Sequence, residues 1–259
     1  MIGVFDSGVG GLSVLAEIRR ELPDADVVYL ADQARAPYGV KTLEEVATMS
    51  EQVSRWLMDK GASTITIACN TASAAALIRL RALYQDVAFV GMEPAVKPAA
   101  LTTSTGVIGV LATAATFQGE LFASVVQRHA EGLTVVTRAC PRWVELVESG
   151  LHDGPEVQVQ VERCLSPLLE AGADTLVLGC THFPFLTPVI ERIAGPGVTV
   201  VDLAPAVARQ VRRIARFPRG SGRLLLVTSG DPARFEQVAY DLAGIETEQP
   251  VLACNWNDD

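Results

Sequence analysis

Short apolar runs and longer segments of helical period alternate along almost the whole chain. The runs Ile2–Phe5, Val27–Leu30, Thr64–Ala68, Val87–Val90, Val107–Leu111, Leu133–Thr137, Thr175–Leu178, Val198–Val201 and Leu224–Val227 are aliphatic and β-branched, with little polar alternation. Continuous runs of this kind predict parallel strands covered on both faces. Between them Leu12, Leu15, Ile18 and Leu22 fall on one helical stripe, and Val46, Met49, Val53 and Leu57 on another. Thr42 followed by Glu45 predicts a capping box at the start of the second helix. Strand and helix in alternation predict an α/β fold, doubly wound on a mostly parallel sheet.

The pattern repeats within the chain. Gly61–Cys69 (GASTITIAC) matches Gly172–Cys180 (GADTLVLGC) at an offset of 111, and the same offset relates Pro94-Ala95-Val96 to Pro205-Ala206-Val207. Ile2–Ser7 resembles Ile108–Thr113 at an offset of 106, one loop change away. Three matches in one order predict two related α/β halves, residues 1–93 and 94–205, disposed about a pseudo-twofold axis. The remaining 206–259 carries one more strand and a helix opened by Ser229-Gly230-Asp231-Pro232. It is short for a domain of its own and is expected to pack back on one half. The stretch 217–222 reads as an exposed turn.

Composition narrows the partners. The 259 residues are 49% hydrophobic and 20% charged, which excludes intrinsic disorder. No run of about 18 apolar residues occurs, so no spanning helix is expected. The start, Met1–Asp6, has neither a basic stretch nor a long apolar one and reads as a strand, not an export signal. A net charge of −9 with no basic block makes nucleic acid and anionic membranes poor partners. Five cysteines contain no C-x-x-C pair, and three histidines lack zinc-like spacing. A cytoplasmic protein with free thiols and no metal site is expected.

In parallel sheets ligands collect beyond the carboxyl ends of the strands, where loops meet helix starts. Asp6-Ser7, Cys69-Asn70-Thr71, Thr113 and Cys180-Thr181-His182 arrive there. Asn70 or Thr71 is expected to cap the Ala-rich helix that follows, and Pro184 suits a first helical turn. A lone thiol after an apolar strand is more often an inert core residue. Two thiols at equivalent repeat positions, each beside hydroxyl and amide groups, point instead to chemistry. Unpaired N–H groups at a helix start favour the thiolate. Thiols facing each other across an interdomain cleft suit removal of a proton from one face of a carbon and its return on the other. Cys140, Cys164 and Cys254 lack this context and read as ordinary, and His129 and His152 as surface residues.

The segments Asp6–Val14 (DSGVGGLSV), Ala34–Gly39 (ARAPYG), Ala68–Ala74 (ACNTASA), Glu93–Lys97 (EPAVK), Gly179–Pro184 (GCTHFP) and Thr228–Asp231 (TSGD) closely resemble the signatures of bacterial glutamate racemases. The likeness spans essentially the whole chain. It implies a cofactor-independent interconversion of L- and D-glutamate that supplies D-glutamate for peptidoglycan. It also implies two flavodoxin-like domains, the first completed by the C-terminal segment (1–93 plus 206–259; 94–205), an active site between them, and a tendency to form homodimers. By motif, Cys69 and Cys180 resemble the paired proton donor and acceptor, assisted by Asp6, Glu148 and His182. Asp6-Ser7, Tyr38-Gly39, Asn70-Thr71 and Thr181-His182 resemble the substrate-contacting pairs. Asp6 suits an ammonium or the Cys69 proton, and backbone N–H groups can hold carboxylates without arginine. Three stretches depart from the family pattern: Ala31-Asp32-Gln33 where Gly-Asp-Thr is usual, Phe183 where Tyr is frequent, and Gly119 and Phe122 in place of a Ser and a Tyr.

Other readings stand beside this one. A related racemase could take aspartate. Gly8-Val9-Gly10-Gly11 after a strand faintly matches a dinucleotide fingerprint, although position 13 is Ser and Asp6 would repel a pyrophosphate. Asp6 could simply cap the next helix, Glu148 could lie on a solvated face, and Tyr38-Gly39 could be a plain turn. A small-molecule or protein-binding module without catalysis is the remaining alternative.

Overall fold

The computed structural model describes residues 1–215, 220–246 and 248–256. Among the described residues there are ten strands: β1 (Ile2–Asp6), β2 (Val27–Ala31), β3 (Thr64–Ile67), β4 (Ala88–Gly91), β5 (Val107–Ala112), β6 (Thr134–Ala139), β7 (Thr175–Gly179), β8 (Thr199–Val201), β9 (Leu224–Thr228) and β10 (Leu252–Ala253). The helices are α1 (Leu12–Glu21), α2 (Leu43–Asp59), α3 (Asn70–Leu83), α4 (Val96–Thr102), α5 (Ala114–Gln118), α6 (Glu120–His129), α7 (Pro141–Glu148), α8 (Pro155–Glu170), α9 (Thr187–Ala194), α10 (Ala204–Ile214) and α11 (Pro232–Ala243).

The strands form two parallel sheets, ordered β10-β9-β2-β1-β3-β4 and β6-β5-β7-β8. The inner order is the same in both, with the first strand of each half beside the second and third. Register repeats too: Ile2 pairs with Thr64 in one sheet, and Ile108 with Thr175 in the other. The sequence repeat is therefore a repeat of strand pairing. It extends to the helix contacts. A Cβ on Gly3 would crowd Leu57 of α2, and one on Gly109 would crowd Leu168 of α8. In each half a central-strand glycine lets the covering helix come close.

β1, β2, β3 and β7 are buried along their whole length, as continuous apolar runs predict. β6 and β8 are not: both are edge strands of the smaller sheet and expose residues along it. Their apolar runs misled on this point because an edge strand is covered less than a central one. The Thr42–Glu45 capping box is present. Asp231 caps α11 by accepting from the Ala233 and Arg234 N–H groups. β9 adds beside β2 in the larger sheet, so the C-terminal segment completes that sheet. Of the turn expected over 217–222, residues 217–219 lie outside the described residues. Ser221 donates to Asp26 at the start of β2. Among the described residues no helix is long and apolar enough to cross a membrane.

Candidate active site

The first-strand/third-strand junction recurs in both sheets, and each third strand releases a cysteine. Cys69 follows β3 with extended backbone (φ −135°, ψ 122°) and caps α3, its Sγ accepting from the Ala72 N–H at 3.5 Å. Asn70 and Thr71, expected as caps, are instead the first helical residues, because the sulfur already occupies the capping position. Cys180 follows β7 and leads into a short 3₁₀ turn, Phe183–Leu186, with Pro184 in its first turn.

Cys69 and Cys180 both line one cavity of about 200 Å³, smaller than the ~300–1,000 Å³ of sites that take drug-sized ligands. Ser7, Tyr38, Gly39, Asn70, Thr71, Thr181 and His182 share its wall with them. Thr113 comes from the end of β5, and Val144 and Glu145 from α7. Among the described residues no lysine or arginine lines the cavity. Thr71, Thr113 and Thr116 form a hydroxyl cluster across the two sheets, with Thr113 Oγ1 2.9 Å from each of the other two. The Asn70 side chain is buried, and neither its Oδ1 nor its Nδ2 has a hydrogen-bond partner. A buried amide left unpaired is costly unless a ligand completes it.

Asp6 and Glu148 stand one layer behind the wall. Asp6 is fully buried. Its Oδ2 accepts from the Gly11 N–H at 2.8 Å, close to the capping role that sequence left open. Burial pushes the Asp6 carboxyl up, and the negative charge of Glu148 adds to this against His182 and Gly11. Burial also drives the Cys69 thiol well above its ordinary value, reinforced by the Asp6 charge. The Ala72 N–H pulls the other way, as a helix start should, but desolvation prevails. At Cys69 burial thus outweighs the thiolate-favouring helix start, and the sulfur stands beside the Asp6 carboxyl group.

The other thiol has a different escort. His182 Nδ1 lies 3.7 Å from Cys180 Sγ, and its Nε2 lies 2.6 Å from Glu148 Oε1. Burial works against a charged His182, yet its bonds to Cys180 and Glu148 raise it well above the ordinary value. Burial likewise pushes Glu148 up, and the contact with His182 and the Val9 N–H (2.8 Å) overcome it. Glu148 is thus held in a network and does not lie on a solvated face. Trp143 of α7 packs edge-on against Phe183 at 4.8 Å, fixing the helix that carries Glu148 against the loop that carries His182.

The glycine loop after β1 fits this arrangement rather than a dinucleotide. Its Val9 and Gly11 N–H groups are already bound by Glu148 and Asp6. A Cβ on Gly8 would overlap the Glu148 carboxylate, and one on Gly10 the His182 ring. On the opposite wall, Tyr38 donates its hydroxyl to Asp32, a fully buried carboxylate that also receives Arg35 Nε (2.6 Å), Ser229 Oγ (2.8 Å) and Trp256 Nε1 (2.7 Å). Tyr38 is thereby fixed by a hub instead of lying in a plain turn. Sequence reasoning passed over Asp32, Val144 and Glu145 as site residues: Ser229 and Trp256, which complete the Asp32 hub, are remote in the chain, and no local pattern brings α7 to the cavity. Cys140, Cys164 and Cys254 do not line the cavity. His152 is exposed and His129 half-buried. Among the described residues no three His, Cys, Asp or Glu side chains gather as a metal-binding group.

Residues 2–211 match the Asp/Glu/Hydantoin racemase family. A glutamate racemase of Roseiflexus sp. (strain RS-1) is 47% identical, with 97% of this chain and 96% of that protein covered. The glutamate racemase of Escherichia coli, solved in complex with L-glutamate and the activator UDP-MurNAc-ala, is 31% identical. It superposes with a TM-score of 0.87 over 98% of this chain and 97% of its own. That of Francisella tularensis subsp. tularensis SCHU S4, solved with D-glutamate, is 26% identical with a TM-score of 0.84, covering 99% and 97%. By sequence and by fold alike, this chain belongs to the Asp/Glu/Hydantoin racemase family.

Proposed function

We propose that the protein interconverts L- and D-glutamate by proton transfer at the α-carbon between Cys69 and Cys180. The observation that carries this reading is that equivalent strands of two sheets deliver one thiol each to a single small cavity. With the α-carbon between the sulfurs, a thiolate on one side takes the α-proton, and the C–H electron pair stays on carbon. The thiol on the other side gives its proton to the opposite face. The sulfurs have then exchanged states, and the reverse turnover restores them. Asp6 is placed to take up or return the Cys69 proton, and His182, with Glu148 behind it, the Cys180 proton.

The wall suits an amino acid with two carboxylates. Early N–H groups of α3 have no intrahelical partner, and the unpaired Asn70 amide and the Thr71–Thr113–Thr116 hydroxyls add donors without any fixed cation. Asp6 does not line this space and lies beside Cys69, so its action is on the sulfur. D-glutamate made in this way would supply peptidoglycan. Purified protein with a chelator and no added cofactor is given L-glutamate, D-glutamate or L-aspartate, and optical activity is followed. Decay of both glutamate enantiomers to an equimolar mixture, with aspartate untouched, is expected. Turnover of aspartate alone would move the substrate assignment, and no turnover of either would overturn the reaction.

A further inference from the structure

Gln33 follows β2 in the larger sheet, yet its side chain reaches α7 of the other half. Its Nε2 donates to Glu148 Oε2 at 3.1 Å, and its Oε1 accepts from Thr228 Oγ1 of β9 at 2.9 Å. The amide orientation is fixed by chemistry: an ionised carboxylate only accepts, so the NH₂ group must face Glu148. Gly230 makes the space, since a Cβ there would crowd the Gln33 side chain. The Glu148 carboxylate is thus held on both oxygens, Oε1 by Val9 N–H and His182, and Oε2 by Gln33. Without that second anchor Oε2 would face the open cleft lined by Glu145, Asp231 and Arg234.

We propose that Gln33 is a positioning residue for the reaction, a strut between Thr228 of β9 and α7 that aims the Glu148 carboxylate at His182. This rests on the glutamate racemase reading above. The groups acting on Glu148 are His182 from the loop after β7, and Asp6 and Tyr29 from β1 and β2. Glu145, Asp231 and Arg234 border the outer cleft. Removal of a neutral donor leaves these charges in place and raises only the ease of protonating Glu148.

The test uses full-length Gln33→Met, which keeps length and loses the polar ends, and Gln33→Thr, which is too short to span the gap. A hydrogen bond to a charged group supports a fall in kcat/KM of about tenfold. KM for glutamate should be little changed, and the acid limb of the kcat/KM profile should move to higher pH, because Glu148 protonates earlier. In a Glu148→Gln background the same changes should have no further effect. Thermal unfolding shows whether each variant is folded, and the Thr form serves if the Met form is not. Wild-type rates and an unmoved acid limb, or an undiminished further loss in the Glu148→Gln background, would overturn the proposal. Glutamate turnover by the wild type is measured alongside, so failure of the parent reading is seen separately.

Discussion

His182 spends both ring nitrogens on the relay, one toward Cys180 and one on Glu148, and it is buried from water. Burial alone would discharge it. Cys180 and the Glu148 carboxylate together raise its pKa against burial, so Glu148→Gln should lower it while the Cys180 contribution remains. Kinetics are expected to show kcat/KM lower by about 10- to 100-fold, with the alkaline limb moved to lower pH as the imidazolium is lost earlier. An alkaline limb left in place would mean that Glu148 does not set the charge of His182. Legibility at this scale was uneven. Cys69 and Cys180 stood out because a repeat marked them. The link between Glu148 and His182 joins residues from separate elements, so no local pattern could reveal it, and only the family resemblance named them together. For Cys69 the helix start that favours a thiolate is local and legible, while the burial that raises the thiol is not.

At the level of elements, the loop between β1 and α1 does the joining. It gives N–H groups to Glu148 and Asp6, and Ser13 Oγ donates to the Thr181 carbonyl oxygen, the neighbour of His182, at 3.1 Å. Glycine is required at position 8 by closeness, not by backbone angle. Gly8→Ala should displace Glu148 and lower kcat/KM by about two orders of magnitude, in line with the ~10²-fold effect of small misplacements. Far-UV circular dichroism should be unchanged, and unaltered kinetics would show that the loop yields without cost. Nine strands were legible from apolar runs because parallel strands leave strong, continuous signals. β10 was not, being two residues long, with both exposed. The sulfur cap of α3 was also missed, since Asn and Thr are the usual capping residues and sequence gives no reason to prefer Cys.

Across the whole molecule, the chain leaves β4 of the larger sheet and enters α4, which packs on the smaller sheet, and Asp174 before β7 fastens residues 103–105 that lead from α4 into β5. Its carboxylate accepts from Thr103 Oγ1 (2.6 Å), Ser104 N–H (2.7 Å) and Thr105 N–H (2.9 Å). Burial pushes its carboxyl up, but these bonds hold it well below the ordinary 3.8. A depressed carboxyl contributes stability above its unfolded value and loses it as pH falls toward the folded one. Asp174→Ala should cost about 1–2 kcal/mol in urea unfolding at neutral pH, with a smaller difference from wild type once pH falls below the ordinary carboxylate range. Equal stability at neutral pH would remove Asp174 from this role. The two sheets present one thiol each to the shared cavity, and that opposition is open to direct measurement. In D₂O, wild-type protein given pure L- or pure D-glutamate should place solvent deuterium at the α-carbon of the enantiomer formed. Cys69→Ser and Cys180→Ser should each bring racemisation close to zero while remaining folded. Full racemisation by both single variants, or no deuterium at the α-carbon with wild type, would contradict the account.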